Sequence, residues 1–171
     1  MAVAQKIRCR VERITNHGEH VYTVDLVPEQ RERLRITYSV QGPVIARMEK
    51  ELAEGKFVWI KLTYGEFIIQ GSSDVVLFIG DTGITAFTAF FDGLTPAFLY
   101  QVYLAYGARD SNLLIYRDLV QWRPKIGSQL KPFYFFEQDT DGESVARSEI
   151  VGRLSVSAMW QRIENPMAAT Y

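Results

Sequence analysis

A single cysteine, Cys9, among 171 residues leaves no partner for an intrachain disulfide and too few thiolates for an iron–sulfur cluster held by one chain. A reducing, cytoplasmic setting is therefore expected. Histidine is almost as scarce: His17 and His20 are the only two, so a metal centre or a His-based catalytic triad lacks the side chains it needs. No apolar run approaches the roughly 18 residues of a spanning helix, and the first residues carry no leader-like apolar core, so no membrane partner is expected. Charge of one sign is missing too. With 19 Lys plus Arg against 20 Asp plus Glu, the net charge of −1 supplies no global field for nucleic acid, and no nucleic-acid partner is expected. There is no internal repeat and no low-complexity tract. What remains is 47% hydrophobic and 13% aromatic, ample for a buried core in one domain or two small ones.

The first seventy residues, 1–70, read as antiparallel β. Runs 7–14 and 21–26 flank Asn16-His17-Gly18-Glu19, whose Asn and Gly tolerate the left-handed backbone of a tight turn. A third strand is expected over 34–40. Gly42-Pro43 then introduces a short amphipathic helix through Met48 and Leu52, ended by Gly55, before strands at 57–62 and 68–69. Beyond Gly71 the rhythm changes: strand 74–79, helix 84–94, strand 98–106, helix 113–122, strand 132–137 and helix 156–163. Such alternation predicts a doubly wound parallel sheet over 71–171.

The stretch 74–87 is the most telling. Val75 to Ile79 is apolar without alternation, as in a strand buried on both faces. Gly80 and Gly83 bracket the turn that follows, and a helix starting near Ile84 would aim unpaired N–H groups at a phosphate above it. The spacing is G-x-x-G rather than the G-x-G-x-x-G of the usual dinucleotide fingerprint, so a purely structural turn stays open. His17-x-x-His20 falls on the hairpin turn without a third ligand, and Cys9 alternates with Ile7 and Val11 as a buried strand residue does.

In order along the chain, these pieces resemble the ferredoxin–NADP reductase superfamily, in which an antiparallel flavin-binding barrel precedes an NAD(P)-binding α/β domain. Gly42-Pro43, Leu52-Ala-Glu-Gly55-Lys-Phe-Val-Trp-Ile60 and Tyr64-Gly65-Glu66-Phe67 resemble the barrel's closing segment, and Asp74 to Phe87 resembles the nicotinamide-side turn. Tyr106-Gly107-Ala108-Arg109 with Leu113 to Asp118 resembles the adenosine end. Val151-Gly152-Arg153-Leu154-Ser155 resembles the segment before the last helices.

The resemblance implies an FAD- and NAD(P)H-dependent oxidoreductase handing electrons to an acceptor, which includes acceptor proteins. Gly80, Thr82, Gly83, Ile84 and Thr85 would meet the nicotinamide and pyrophosphate. Arg109 would meet the adenosine end or, on the rival reading, pair with Asp110 or Asp118. For flavin the candidates are Tyr38 and Ser39, within Arg35-Ile-Thr-Tyr38-Ser39, together with Gly42 and Tyr64; the alternatives are Tyr38 packed on its sheet and Tyr64 fixing a corner.

Four departures matter. Two barrel strands are missing between Pro28 and Leu34, Ile45 replaces a hydroxyl residue, Asp81 stands where the family prefers Gly, and the C-terminal cysteine-containing segment is absent. A carboxylate about 4 Å from a phosphate opposes it by roughly 1 to 4 kcal/mol, depending on effective dielectric. Asp81 is also a candidate helix cap. An assembly module that has lost flavin is therefore the second expectation, and the short sheet predicts homo-oligomers.

Overall fold

Ile7, Cys9 and Val11 alternate with Lys6, Arg8 and Arg10, and the strand they form, β1 (Gln5–Asn16), turns its apolar set inward. The computed structural model describes residues 5–29, 33–62, 69, 72–118, 129–138 and 148–171. These fall into two compact units, Met1–Ile68 and Ile69–Tyr171.

In the first unit β1 pairs antiparallel with β2 (Val21–Pro28) and β4 (Phe57–Leu62), while β3 (Leu34–Ser39) lies outside β2, giving the order β3-β2-β1-β4. The β1–β2 turn runs through Gly18, Glu19 and His20, all at positive φ. A register break between Val11 and Arg13 inserts one residue into β1, so Arg13 lands on the charged face opposite Asp25. Asp25 there accepts from Arg13 Nη2 at 2.8 Å and from Arg35 Nε at 2.6 Å. The Arg35 hydrogen bond, with Arg13 behind it, holds the Asp25 carboxyl below its usual range. Helix α1 (Gly42–Glu51) has Pro43 in its first turn and lays Ile45 and Met48 over the core formed by Cys9, Val11, Val24, Leu26 and Tyr38.

The second unit is a parallel sheet of β5 (Val75–Gly80), β6 (Val102–Asp110), β7 (Leu130–Gln138) and β8 (Glu149–Val151), in that order. Its two faces carry separate cores. Val75, Leu77, Ile79, Leu104 and Tyr106 face a layer containing Ile84, Phe91 and Leu94, whereas Val76, Tyr103, Ala105 and Phe135 face Met159 and Ile163. Coverage on both sides is why these strands read as unbroken apolar runs. On its other edge β5 takes a bridge from Thr170, whose N–H reaches Asp74 O and whose carbonyl accepts from Val76 N. Among the described residues no helix is long and apolar enough to cross a membrane.

Several boundaries differ from the sequence expectation. The helix expected over 84–94 is a 3₁₀ helix, Asp81–Phe87, running into a short α2 (Thr88–Gly93). Thr85 and Thr88 donate their hydroxyls to the carbonyls three residues back, and such side-chain bonds compete with regular helix. Expected at 98–106, the strand starts at Val102, because Thr95 to Phe98 closes a turn with Pro96 at its second position. In place of a helix at 113 there is a 3₁₀ turn, Ser111–Leu113, capped by Asp110; residues from 119 lie outside the described set. The last helix, α3 (Val156–Trp160), is capped by Ser155 and stops three residues early. Strand β8 was not expected. Ile69 lies outside any strand, and position 68 is not among the described residues.

A Cβ placed on Gly107 would sit 2.9 Å from Leu154 Cβ, so β6 and the segment after β8 touch only because residue 107 is glycine. Gly107→Ala is expected to cost about 1–3 kcal/mol in urea unfolding, and Leu154→Gly in the same chain, which removes the opposing Cβ, should make the cost of the Gly107 change smaller than it is beside Leu154. Asp25→Asn is expected to cost about 1.5–3 kcal/mol at neutral pH. Because the folded pKa of Asp25 is depressed, its contribution is full above the ordinary carboxylate range, about pH 4, and is lost as pH falls through the folded value. The variant should accordingly show a flatter acid limb when unfolding midpoint is plotted against pH.

Candidate functional site

Ligands of open parallel sheets gather beyond the carboxyl ends of the strands, where strand order reverses. The candidate place here is the carboxyl end of β5, beside β6, with the Thr170 bridge at the opposite end of the strand at Val75. Gly80 closes β5 level with Gly107 of β6. The chain then turns through Asp81 at φ +43°, the left-handed region where an L side chain is strained. This backbone gives a steric reason to prefer glycine at the position, in addition to charge. Asp81 does not cap the helix: the capping position is Gly80, and no side-chain cap bond forms. Its carboxylate is exposed instead, and its charge reaches Tyr106, whose phenol is pushed well above its ordinary range first by burial and then by Asp81.

Ile84 is fully buried between Ile79 and Phe91's layer, so it anchors the turn and can meet a ligand only through its main chain. Thr82 and Thr85 are half-buried on the turn, and Thr85 Oγ1 donates to Thr82 O at 3.0 Å. Gly83 needs no special φ, and a Cβ there would meet only Ile79 Cγ2 at an ordinary 3.8 Å; around a Cβ on Gly80 there is open space. Neither glycine is demanded by the fold itself. Arg109 lies two residues beyond Gly107 on β6, exposed at the same end of the sheet. The structure thus brings Gly80, Thr82, Gly83, Ile84, Thr85 and Arg109 to one edge.

The flavin candidates are arranged differently. Tyr38 is only 9% exposed, belongs to the core of the first unit and stacks on Tyr22 with ring centroids 5.6 Å apart. Ser39 ends β3 opposite Val21, and Gly42 opens α1 at φ +79°. Tyr64 lies outside the described residues. The two histidines go to separate partners: His17 Nε2 meets Thr23 Oγ1 at 2.8 Å, and His20 Nδ1 meets Glu49 Oε1 at 3.1 Å. A cavity of about 580 Å³ in the first unit is lined by Arg13, Arg35 and Asp25 with Arg33 and Glu12, charges that already pair with one another. Sequence reasoning missed the Thr170 bridge and the Gly107–Leu154 contact, since neither leaves a local pattern.

No protein-family model matches the sequence, and no curated protein sequence matches it either. Solved structures do. A flavohemoglobin from Malassezia yamatoensis, solved with bound FAD and heme, superposes with a TM-score of 0.75 over 96% of this chain at 16% identity. The CS-b5R domains of human Ncb5or, in their NAD+ form, give 0.67 over 97% at 13% identity. The flavohem-like FAD/NAD-binding domain of a Vibrio cholerae nitric oxide dioxygenase gives 0.66 over 95% at 15% identity. The chain has the fold of these solved structures, an antiparallel sheet followed by an α/β unit as in ferredoxin–NADP reductases. The chain spans about half the length of the flavohemoglobin, 51%, and 60% of the Ncb5or chain. In ferredoxin–NADP reductase terms the antiparallel sheet of the first unit corresponds to the barrel and the parallel sheet of the second to the α/β domain.

Asp81→Gly is expected to raise stability by up to about 1 kcal/mol by relieving the left-handed strain, and Asp81→Val to lower it. Thermal unfolding should register the first as a rise of about 2–4 °C.

Proposed function

We propose that the protein is an NAD(P)H-dependent oxidoreductase of the ferredoxin–NADP reductase type, with the 80–85 turn receiving the nicotinamide and pyrophosphate and Arg109 toward the adenosine end. The observation that carries this reading is the pair of glycines at the carboxyl end of β5 that the chain's own packing does not require. Inside a helix glycine is roughly 0.5–1 kcal/mol less favourable than alanine, so its presence at 83, within the 81–87 segment, fits a main chain that something else must approach closely. Thr82 and Thr85 hydroxyls add acceptor and donor capacity beside it. In this class a flavin takes the hydride and passes electrons to an acceptor, while the protein supplies orientation and electrostatics.

Tyr38 does not fit a resident isoalloxazine, because one of its faces is on Tyr22 and the ring is in the core. No flavin step is therefore assigned to β3. That same burial, with the exposed carboxylate of Asp81 beside the turn, favours a second reading: a non-catalytic binding or assembly module built on a reductase fold, with flavin binding lost.

Titration with NADH and NADPH separates these from a purely structural turn. Gly83→Ala is expected to keep or slightly raise stability and to weaken nucleotide binding at least about tenfold, since only a close ligand would meet the new methyl. Unchanged affinity would remove the turn as the site. Visible spectra after incubation with FAD or FMN then decide between the readings: retained flavin that bleaches anaerobically with NAD(P)H supports the reductase, and nucleotide binding without flavin supports the module.

A further inference from the structure

The outward faces of β1 and β4 carry a feature that the net charge conceals. Register places Lys6 opposite Lys61, Arg8 opposite Trp59 and Arg10 opposite Phe57, all on the side away from Ile7, Cys9, Val58 and Ile60. Trp59 is 68% exposed and Phe57 51%, so neither ring is needed by the core. The two stand on alternate residues of one strand, about 6.6–6.8 Å apart along it. Arg8 lies with its guanidinium carbon 3.9 Å from the Phe57 ring centroid and also meets Glu29 at 3.0 Å. Lys6 faces Lys61 across the two strands and extends the cationic side of this face.

The centre of a protein interface is enriched in aromatics and Arg but depleted in Lys. Here Phe57 and Trp59 form one row on β4, Lys6, Arg8 and Arg10 form a row beside it on β1, and Lys61 continues the ring row. A ligand that carries flat π faces along one side of its backbone and anions along it matches two such rows. We propose that this face binds single-stranded nucleic acid, with bases stacking on Trp59 and on the Arg8–Phe57 pair and phosphates meeting Lys6, Arg10 and Lys61.

The test uses the whole chain and a fluorescein-labelled oligo(dT) of about 20 nucleotides at about 50 mM salt, read by anisotropy and by tryptophan quenching. Binding is expected to weaken about 5- to 100-fold in Trp59→Ala and to survive largely in Trp59→Phe. The double variant Lys6→Glu with Arg10→Glu should lose at least tenfold and flatten the salt slope by about 2. Excess NADH should leave binding untouched. Each substituted residue is exposed, so thermal unfolding of the variants should match the parent. Absence of oligo(dT) binding, equal affinity in Trp59→Ala, or displacement by NADH overturns the proposal. Poly-L-glutamate competing as well as oligo(dT) itself also overturns it and assigns the face to an acidic protein.

Discussion

The requirement that a parallel sheet be covered on both faces governs the second unit, and its candidate site follows from it. Tyr103 and Tyr106 are both fully buried on β6 yet belong to opposite cores, which is possible only with structure packed above and below the sheet. Each covering segment must leave a strand at its carboxyl end. At β5 the exit is made over Gly80, with Ile84 driven into the core three residues after Asp81. The turn is thus pinned from beneath by hydrophobic burial while its upper side stays open. An exposed main chain at a strand end, anchored by a buried side chain, is what the proposed phosphate-bearing ligand would meet.

The parts legible in the sequence were those whose signal is local. The bare run Val75 to Ile79, the hairpin at Asn16 to Glu19, and the entry of α1 at Gly42-Pro43 each carry their cause within a few residues. Less legible were outcomes set by distant partners. Leu154 dictates the glycine at 107 from forty-odd residues away, and Thr170 reaches β5 from the far end of the chain. At Asp81 the sequence showed an unusual residue type, but only the backbone angle shows that the position favours glycine for steric reasons as well. Arg109 was readable as a candidate from its residue type; it lies on β6 itself because that strand runs on to Asp110, four residues beyond the end that the apolar pattern suggests.

Charge in the first unit illustrates why totals mislead. A single bulge in β1 sends Arg13 to Asp25, where a carboxylate shared by two guanidiniums forms a closed, self-satisfied group. Before the bulge the same strand presents Arg8 and Arg10 beside exposed rings on β4. One extra residue therefore brings Arg13 to the same side of β1 as Arg8 and Arg10, where it meets Asp25 instead of the rings. The core below is indifferent to the distinction, since Cys9 and Val11 remain fully buried through it.

The Thr170 bridge closes part of the outer edge of β5. Thr170 hydrogen-bonds through its main chain to Asp74 and Val76 and through its hydroxyl to Ser73 at 2.7 Å. Backbone groups taken up by a distant segment of the same chain cannot template a foreign strand, so the start of β5 is guarded against edge-to-edge association at that point.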